Sequence, residues 1–499
     1  MKKILTIIAA VATLSLSSCN KFLDVNHSPN SPEESQATME MVMPAAEMAL
    51  SSYYGDIFRI VGGYLSQHYA HCFGTSNYVA FSQFTVNSTS ISRGYTYLNH
   101  SAIANATFVR DKAAEQEMWG TYLAATCIRV FSYAALVDAF GETPYSEANK
   151  GKENLSPKFD EGKDVYAGLV AELEDALSKA KPEDPVTTNL LYNGENAANW
   201  IKFANALLFK LLMRESAKVD VQAKLDALVA EGNFPTANVA WTCFTNDESG
   251  KANPFYQEEF ATYFGSTQIN VGMNVAIYAA MNDYNDARLA KYFSKNKNGA
   301  YWGSISGYNM STSENYQTSV FCRPNMKFDS PVYLISFAEL NFFLSEYYQK
   351  KGDNTNAKKY YEAAIEASFT DAGLTAADAA VAIAAYPYST AADTYAKNLG
   401  IQKWIALCGI NNFESWCEIR RIGYPAFGGK KATDIYNFTG DNLDMTVLTP
   451  GELYTPYQVE AQLGADKIAQ RWPYAQAAIN YNVNCPPVKG PTEKVFWAK

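Results

Sequence analysis

Two patterns of hydrophobic and polar positions alternate along this chain, one helical and one irregular. Apolar residues at helical spacing predict helices over about 32–72, 111–140, 161–181, 197–217, 331–350, 354–368, 395–407 and 413–422. The stretches 73–100, 233–330 and 423–499 are instead rich in Gly, Asn, Ser and Tyr, and they predict loops with a few short strands and one helix near 271–282. The pattern therefore predicts a mostly α protein in which helices form a scaffold and a large loop-rich insertion interrupts it.

One predicted helical pair has the spacing of a tetratricopeptide repeat. The matching positions carry Leu, a small residue, Tyr, Ala, an aromatic residue and Ala; they are Leu344, Ser345, Tyr348, Ala357, Tyr361 and Ala364. Small residues let two antiparallel helices approach closely, and the rings fill the groove to the next pair. Phe369 stands where the repeat usually has Pro, and a single match also fits an ordinary helical hairpin.

The first thirty residues have a composition of their own. Lys2 and Lys3 precede an apolar run from Ile4 to Leu16, and the run ends in Leu-Ser-Ser-Cys at Cys19. A basic start, a short apolar segment and a small-residue cleavage site predict a secretory signal peptide over 1–18. Leu-Ser-Ser-Cys resembles the lipobox of bacterial lipoproteins, which implies that Cys19 is acylated and begins a lipidated tether over 19–31. The alternative is an ordinary signal peptide that happens to contain a cysteine.

Composition narrows the partners and the chemistry. A net charge of -10 and a pI near 5.1 argue against a nucleic-acid partner, and only 4 His in 499 residues argue against a histidine-rich metal centre. No later run approaches eighteen uninterrupted apolar residues, so no further membrane span is predicted. Seven cysteines besides Cys19 are scattered and odd in number, so most are expected to be buried thiols, with at most a few paired.

The sequence lacks the common catalytic motifs. Gly303-Ser-Ile-Ser-Gly307 has Ile305 where a nucleophile elbow has its serine. Glu339 and Glu346 share one helix face, whereas glycoside hydrolysis needs two carboxyls across a cleft, so we expect them to be solvated or capping. We predict no enzyme activity and no cofactor.

Two groups of residues could bind a metal ion, but the sequence signal for a metal site is weak in both. Asp441-Asn-Leu-Asp444 offers oxygens to calcium but lacks the Gly and Glu of an EF-hand loop, so a turn is expected and a structural calcium ion is left open. His68 and His71 lie three apart near a predicted helix end, where a polar edge of the loop region is expected in preference to a metal site.

Several segments in order along the whole chain resemble one family. Cys19-Asn-Lys-Phe-Leu-Asp-Val-Asn26 is similar to the start of the SusD/RagB nutrient-binding outer-membrane lipoproteins. Asp138-Ala-Phe-Gly-Glu-Thr-Pro-Tyr-Ser-Glu-Ala148 resembles a turn of the branch called SusD-like type 2, with Glu142 where Asp is commoner. Further similar segments are Pro157 to Asp160 with Tyr166, Trp200 to Asn205 with Arg214, Pro331 to Glu346, Gln402 to Trp404, Glu414 to Trp416, Arg420 to Pro425, Arg471 to Tyr474, Asn480 and Phe496-Trp497.

The resemblance implies a SusD-like domain over 32–499, with its helical scaffold mainly in 32–72, 111–217 and 331–422. It also implies a palmitate-bearing lipoprotein on the cell surface, anchored to the outer membrane by its lipid. Such a protein would cover a SusC-like TonB-dependent transporter as a lid. It would capture glycan and pass it into the barrel of the transporter without covalent chemistry. The same role with peptide as the ligand is an alternative, and a secreted hydrolase is a weaker one.

The family's binding residues lie in the loops after the first helix and in the mid-chain insertion. Aromatic rings there stack on the apolar faces of sugars, and amides bond to hydroxyls. By loop composition, our candidate ligand residues are Asn77, Tyr78, Phe81, Tyr95, Tyr301, Trp302, Tyr308 and Asn309. For any one ring, the alternative is packing beneath the loop.

Overall fold

The structure is a computed structural model of the chain. It describes residues 37–72, 77–194, 196–261, 270–307, 321–437 and 442–499. The predicted signal peptide, Cys19 and most of the tether lie outside these residues.

Helices dominate the described residues, which confirms the predicted mostly α fold. The first half contains α1 Met39–Tyr53, α2 Arg59–Leu65, α3 Val79–Ser82, α4 Ser92–Tyr97, α5 Ala104–Glu115, α6 Trp119–Phe140, α7 Gly162–Lys179, α8 Ala198–Glu215 and α9 Gln222–Glu231. The second half contains α10 Pro254–Glu259, α11 Val275–Asn282, α12 Leu289–Tyr292, α13 Phe337–Lys350, α14 Asn354–Asp371, α15 Ala380–Ala385, α16 Ala392–Leu407, α17 Asn412–Ile422, α18 Ala432–Ile435, α19 Glu460–Leu463 and α20 Gln476–Tyr481.

The strands are short and pair two by two. They are β1 Tyr69–His71, β2 Thr143–Pro144, β3 Phe159–Asp160, β4 Val239–Trp241, β5 Val271–Met273, β6 Val332–Ile335, β7 Phe427–Lys431, β8 Tyr436–Asn437, β9 Asn442–Leu443 and β10 Leu453–Thr455. The pairs β1–β5, β2–β3, β4–β6 and β8–β9 are antiparallel, and β7–β10 is parallel. The pairs β1–β5 and β4–β6 join segments that are distant in sequence, and no sheet of the described residues has more than two strands.

The first helix continues through Pro44. A π-helical turn, Tyr54–Phe58, joins α1 to α2, so the two run on without a break. Proline removes one backbone hydrogen bond, but Met43, Ala46 and Leu50 are fully buried along one side and hold the helix in place. Pro44 is therefore an interior residue of α1.

Helices α13 and α14 form the predicted tetratricopeptide-like pair. Ala357 and Ala364 are completely buried between them, and the Ser345 hydroxyl donates to the Ala357 carbonyl over 2.8 Å. The Tyr361 ring lies in the groove toward α16, where its hydroxyl donates to the Tyr386 carbonyl at 2.6 Å. The small residues thus permit the close approach that their spacing predicts.

Helix α6 has the length and hydropathy of a membrane span, with a mean hydropathy of 1.5 over its most apolar window. That whole window is buried inside the protein, with neighbours that include α5, α7 and α8. It serves as the central helix of the scaffold.

The segments that carry the family resemblance converge on Asp138 at the end of α6. One carboxylate oxygen accepts hydrogen bonds from the Tyr166 hydroxyl at 2.6 Å and the Trp497 indole at 2.8 Å, and the other pairs with Arg214 at 2.5 Å. Arg214 also pairs with Glu414. Residues from four distant parts of the sequence therefore complete one buried polar centre.

A network of buried ion pairs extends from this centre. Lys210 lies 2.9 Å from Glu339 and 2.8 Å from Glu414, and Lys403 lies 2.7 Å from Glu418. The expectation that Glu339 is solvated or capping is therefore wrong, because its side chain is fully buried and ion-paired. Lys210 is distant in sequence from both of its partners, whereas Lys403 and Glu418 lie on the successive helices α16 and α17.

The structure differs from the predicted bounds of helices and loops at three places considered next. The irregular stretch predicted for 73–100 is shorter, because Ser92–Tyr97 is helical and continues through a π-helical turn into α5. The segment after Pro331 begins as strand β6, whose β-branched residues pair with β4, and the helix starts only at Phe337. Helix α9 lies between the predicted scaffold and the insertion, and the sequence pattern missed it.

Candidate functional site

Two of the loops predicted to bind ligand meet in the structure. Ser82 and Gln83 of the first loop contact Gly307 at the end of the described part of the second. The Gln83 amide donates to the Gly307 carbonyl at 3.0 Å, and the Gly307 N–H donates to the Ser82 hydroxyl at 3.3 Å. The fold therefore brings these two loops into contact with each other.

A third loop, after β10, completes the junction. The Ser306 N–H donates to the Tyr454 hydroxyl at 2.7 Å, and the Tyr457 N–H donates to the Ser306 carbonyl at 3.0 Å. The Gln83 amide also donates to the Gln458 side-chain oxygen at 3.0 Å. We call the surface formed by residues 77–84, 301–307 and 454–458 the loop junction.

Gly307 is required where the three loops meet. Its φ of +91° lies in the left-handed region, and a Cβ there would overlap the Tyr457 carbonyl oxygen. Only glycine lets the chain adopt this conformation and approach the neighbouring backbone so closely.

Tyr78 and Phe81 lie together in the first loop. Their rings stack with centroids 5.4 Å apart and planes at 12°. Phe81 is buried, whereas Tyr78 is half-buried and its hydroxyl donates to the exposed Glu258 carboxylate at 2.6 Å. Burial and the neighbouring Glu258 raise the pKa of Tyr78, so the phenol stays protonated. Phe81 therefore supports the ring of Tyr78 from below.

Tyr301 and Trp302 in the second loop are also half-buried. The ammonium group of Lys295 lies 5.5 Å from the centre of the Tyr301 ring. The Trp302 backbone is fixed by Cys322, whose thiol accepts from the Trp302 N–H at 3.1 Å, while the indole N–H has no hydrogen-bond partner among the described residues. Both rings keep surface that an apolar sugar face could contact.

The other candidates fall elsewhere. Tyr95 is buried in the scaffold, where its ring meets Phe140 edge-on at 5.3 Å, so the alternative of packing beneath the loop describes it better than ligand contact does. Asn77 is exposed beside Tyr78. Tyr308 and Asn309 lie outside the described residues.

An open groove of about 450 Å³ adjoins the loop junction. Tyr457 and Gln458 form one side, and Lys431 and Glu460 form an ion pair at 2.8 Å along the other. Its volume lies within the range of small-molecule sites. Sequence reasoning missed these residues, although a tyrosine beside an amide in a Pro-broken loop is the same signal that selected Tyr78 with Asn77.

The two histidines near the first loop, His68 and His71, are buried inside the protein. The His68 ring is buried, with Nε2 at 2.8 Å from the Trp404 carbonyl and Nδ1 at 2.8 Å from the Asn412 amide. Burial lowers the pKa of His68 to about 3 and that of His71 to about 4. They are not the polar edge that was expected, and no cluster of metal-ligating side chains occurs within the described residues.

Only part of the candidate calcium site lies within the described residues. Asp441 lies outside the described residues. Asp444 accepts hydrogen bonds from the N–H of Thr446 at 3.0 Å and from its hydroxyl at 2.6 Å, so it caps a short 3₁₀ turn.

The seven cysteines in the described part of the chain are all free thiols, and five of them are buried.

Comparison with known proteins agrees with this architecture. A family model described as "Starch-binding associating with outer membrane", SusD-like, matches residues 30–440. No curated protein matches the chain significantly.

Solved structures match over nearly their full length. A SusD homologue from Bacteroides uniformis is 21% identical with a TM-score of 0.70, and the match covers 92% of this chain and 99% of that one. A protein described as chitin-binding is 18% identical with a TM-score of 0.70 and the same coverages. A SusD homologue from Bacteroides fragilis is 19% identical with a TM-score of 0.67, covering 93% and 99%. With its fold and most of its length matched in this way, the chain belongs to the SusD-like family.

Proposed function

We propose that this protein is a cell-surface lipoprotein that binds oligosaccharide and delivers it to a SusC-like TonB-dependent transporter in the outer membrane. In this proposal Cys19 carries the lipid, the helical scaffold holds the loop junction away from the membrane, and no bond of the ligand is broken.

The observation that carries the proposal is the loop junction itself. Tyr78, Tyr301 and Trp302 offer partly accessible rings in the two loops that meet, and the exposed Gln458 amide lies in the third loop, where it accepts from Gln83. Rings that stack on sugar faces beside amides that bond to hydroxyls are what a neutral glycan requires. The family description and the chitin-binding relative favour glycan over peptide.

The test is calorimetric titration of the full-length chain in detergent with soluble oligosaccharides of chitin, of starch and of other glycans, and with a peptide panel. We expect at least one glycan to bind, and Tyr301→Ala or Trp302→Ala to weaken it about 3- to 10-fold, which corresponds to the loss of one stacked ring. Tyr360→Ala is the matched control, since Tyr360 lies in the scaffold, where its ring stacks on that of Tyr348 with centroids 5.4 Å apart.

Other outcomes would contradict the proposal. Binding of peptides alone would favour the peptide alternative, and release of shorter products would revive the hydrolase. Mass spectrometry of the mature chain should find an acylated Cys19, and co-purification from outer membranes should recover a TonB-dependent transporter. An unacylated, freely secreted chain would contradict the anchoring.

A further inference from the structure

A second cavity lies on a different part of the molecule from the loop junction. It has a volume of about 180 Å³, and its mouth carries the exposed side chains of Lys291 and Asn325. Its walls include Arg59, Tyr69, Tyr292, Tyr333, Asp371 and Cys408. None of these residues belongs to the loop junction, so the cavity is an independent feature.

Arg59 is an unusual side chain for a protein interior. It is only 4% exposed, yet no carboxylate among the described residues pairs with it. Its guanidinium donates to the Gly409 carbonyl and lies 5.1 Å from the centre of the Phe255 ring, while Nε has no partner. Arg214, Arg288 and Arg471 are as deeply buried and have carboxylate partners. Arg420 has no carboxylate partner among the described residues, but its guanidinium donates to the carbonyls of Gln470 and Asp138 and does not line this cavity.

A buried cation without a counter-ion is costly, because desolvation is not offset by an opposite charge. The wall of an empty space is the place where an anion from outside the chain can supply that charge. Planar guanidinium groups bind carboxylates particularly well, through two parallel hydrogen bonds.

Two phenols add hydrogen-bonding capacity to the same walls. Both side chains are buried, and the Tyr292 hydroxyl has no hydrogen-bond partner among the described residues, whereas the Tyr69 hydroxyl lies beside the side chains of Arg59 and Asn412. Leaving a buried hydroxyl such as that of Tyr292 unsatisfied costs about 1–3 kcal/mol. A ligand that carries hydroxyl or carboxylate oxygens would satisfy it.

The charges around the cavity permit an anion. Asp371 is the one carboxylate in its wall, and its side chain accepts a hydrogen bond from the Asn238 amide at 2.7 Å. Burial raises the pKa of Asp371 and that of the Cys408 thiol, which keeps the thiol neutral. Arg59 and Lys291 therefore outnumber the single acidic group.

We propose that this cavity binds a small hydroxycarboxylate, with its carboxylate on Arg59 and its hydroxyl groups on Tyr69, Tyr292 and Asp371. The volume of about 180 Å³ is that of roughly six water molecules, which suits a ligand no larger than one sugar ring.

The test uses D-glucuronate and D-glucose as a matched pair, since they differ only in the carboxylate, with L-malate as a smaller hydroxycarboxylate. Calorimetric titration of the full chain should show one site for D-glucuronate or L-malate, and at least tenfold weaker binding of D-glucose. Arg59→Met should weaken the acid about 10- to 100-fold, as expected for a hydrogen bond to a charged group.

Tyr292→Phe keeps the test decisive if Arg59→Met fails to fold. Its hydroxyl has no partner in the described fold, so removing it should leave thermal stability unchanged or higher while weakening the acid severalfold. Trp302→Ala should leave acid binding unchanged, which separates this site from the loop junction.

Three outcomes would overturn the proposal. They are failure of both acids to bind, equal affinity for D-glucose and D-glucuronate, and a crystal structure with either acid that shows only ordered water in the cavity.

Discussion

The buried imidazole of His68 makes the protein less stable in mild acid. Its pKa is about 3 in the fold against 6.5 for an exposed histidine, because burial disfavours the charged ring. Between these two values the unfolded state binds more protons than the folded state, so the free energy of unfolding falls as the pH falls below 6.5. At pH 7 both states are largely neutral at this position, and nearly all of this contribution to stability is present.

The size of the effect follows from the two pKa values. Going from pH 7 to pH 5, His68 alone should remove about 2 kcal/mol from the free energy of unfolding. The geometry gives the reason: Nδ1 faces the Asn412 amide and Nε2 faces the Trp404 carbonyl. The neutral ring satisfies both contacts, whereas a second proton would have no acceptor in the present arrangement.

The measurement is urea unfolding followed by tryptophan fluorescence at pH 7 and pH 5. His68→Gln should be less stable than the wild type at pH 7, because two hydrogen bonds are altered, but it should lose about 2 kcal/mol less on going to pH 5. His71, whose pKa burial lowers to about 4, still titrates in that variant, so the difference isolates His68. Identical pH dependence in the wild type and His68→Gln would refute the reasoning.

Three other substitutions probe the loops and the scaffold. Gly307→Ala should cost about 1–3 kcal/mol of stability and weaken glycan binding, because the φ of Gly307 is positive and a Cβ there overlaps the Tyr457 carbonyl. Gly299→Ala is the control: its φ is +74° but its surroundings are open, so glycan binding should stay unchanged in the same titration. Lys403→Met should cost about 1–3 kcal/mol in urea unfolding, because it removes one of the three cations that contact the buried Glu418 carboxylate, with Arg421 and Arg214 remaining; an unchanged free energy of unfolding would contradict that. Ala357→Leu should cost about 1–3 kcal/mol by forcing the α13–α14 pair apart, and an unchanged melting temperature would show that the pair tolerates a larger residue.

Helices were predictable where one stripe of the sequence is apolar. In α1 and α14 the buried residues recur every three or four positions, so local pattern and tertiary contact agree. The structure at the start of the segment at Pro331 was not predictable, because a short apolar run fits both a strand and a buried helix. Val332 is in a strand because β4, about ninety positions earlier, is there to pair with it.

The candidate site was predictable in part, as a region and not as residues. Composition indicated the loops that meet at Gly307, but it does not determine which rings are buried, so Tyr95 was chosen together with Tyr78. The contact from Gln83 to Gln458 joins positions 375 residues apart, and no local pattern encodes it. The same holds for Glu339, whose partner Lys210 lies on another helix.

The buried charges of α6, α8, α13, α16 and α17 have a consequence for how the protein moves. If one of these helices slid along its neighbour by a single turn, about 5.4 Å, ionised groups would face hydrocarbon and several kcal/mol would be lost at each. The helices are therefore held in one alignment and resist gradual adjustment. Conformational change is therefore expected in the outer segments that Gly307 joins, and not in the helical scaffold.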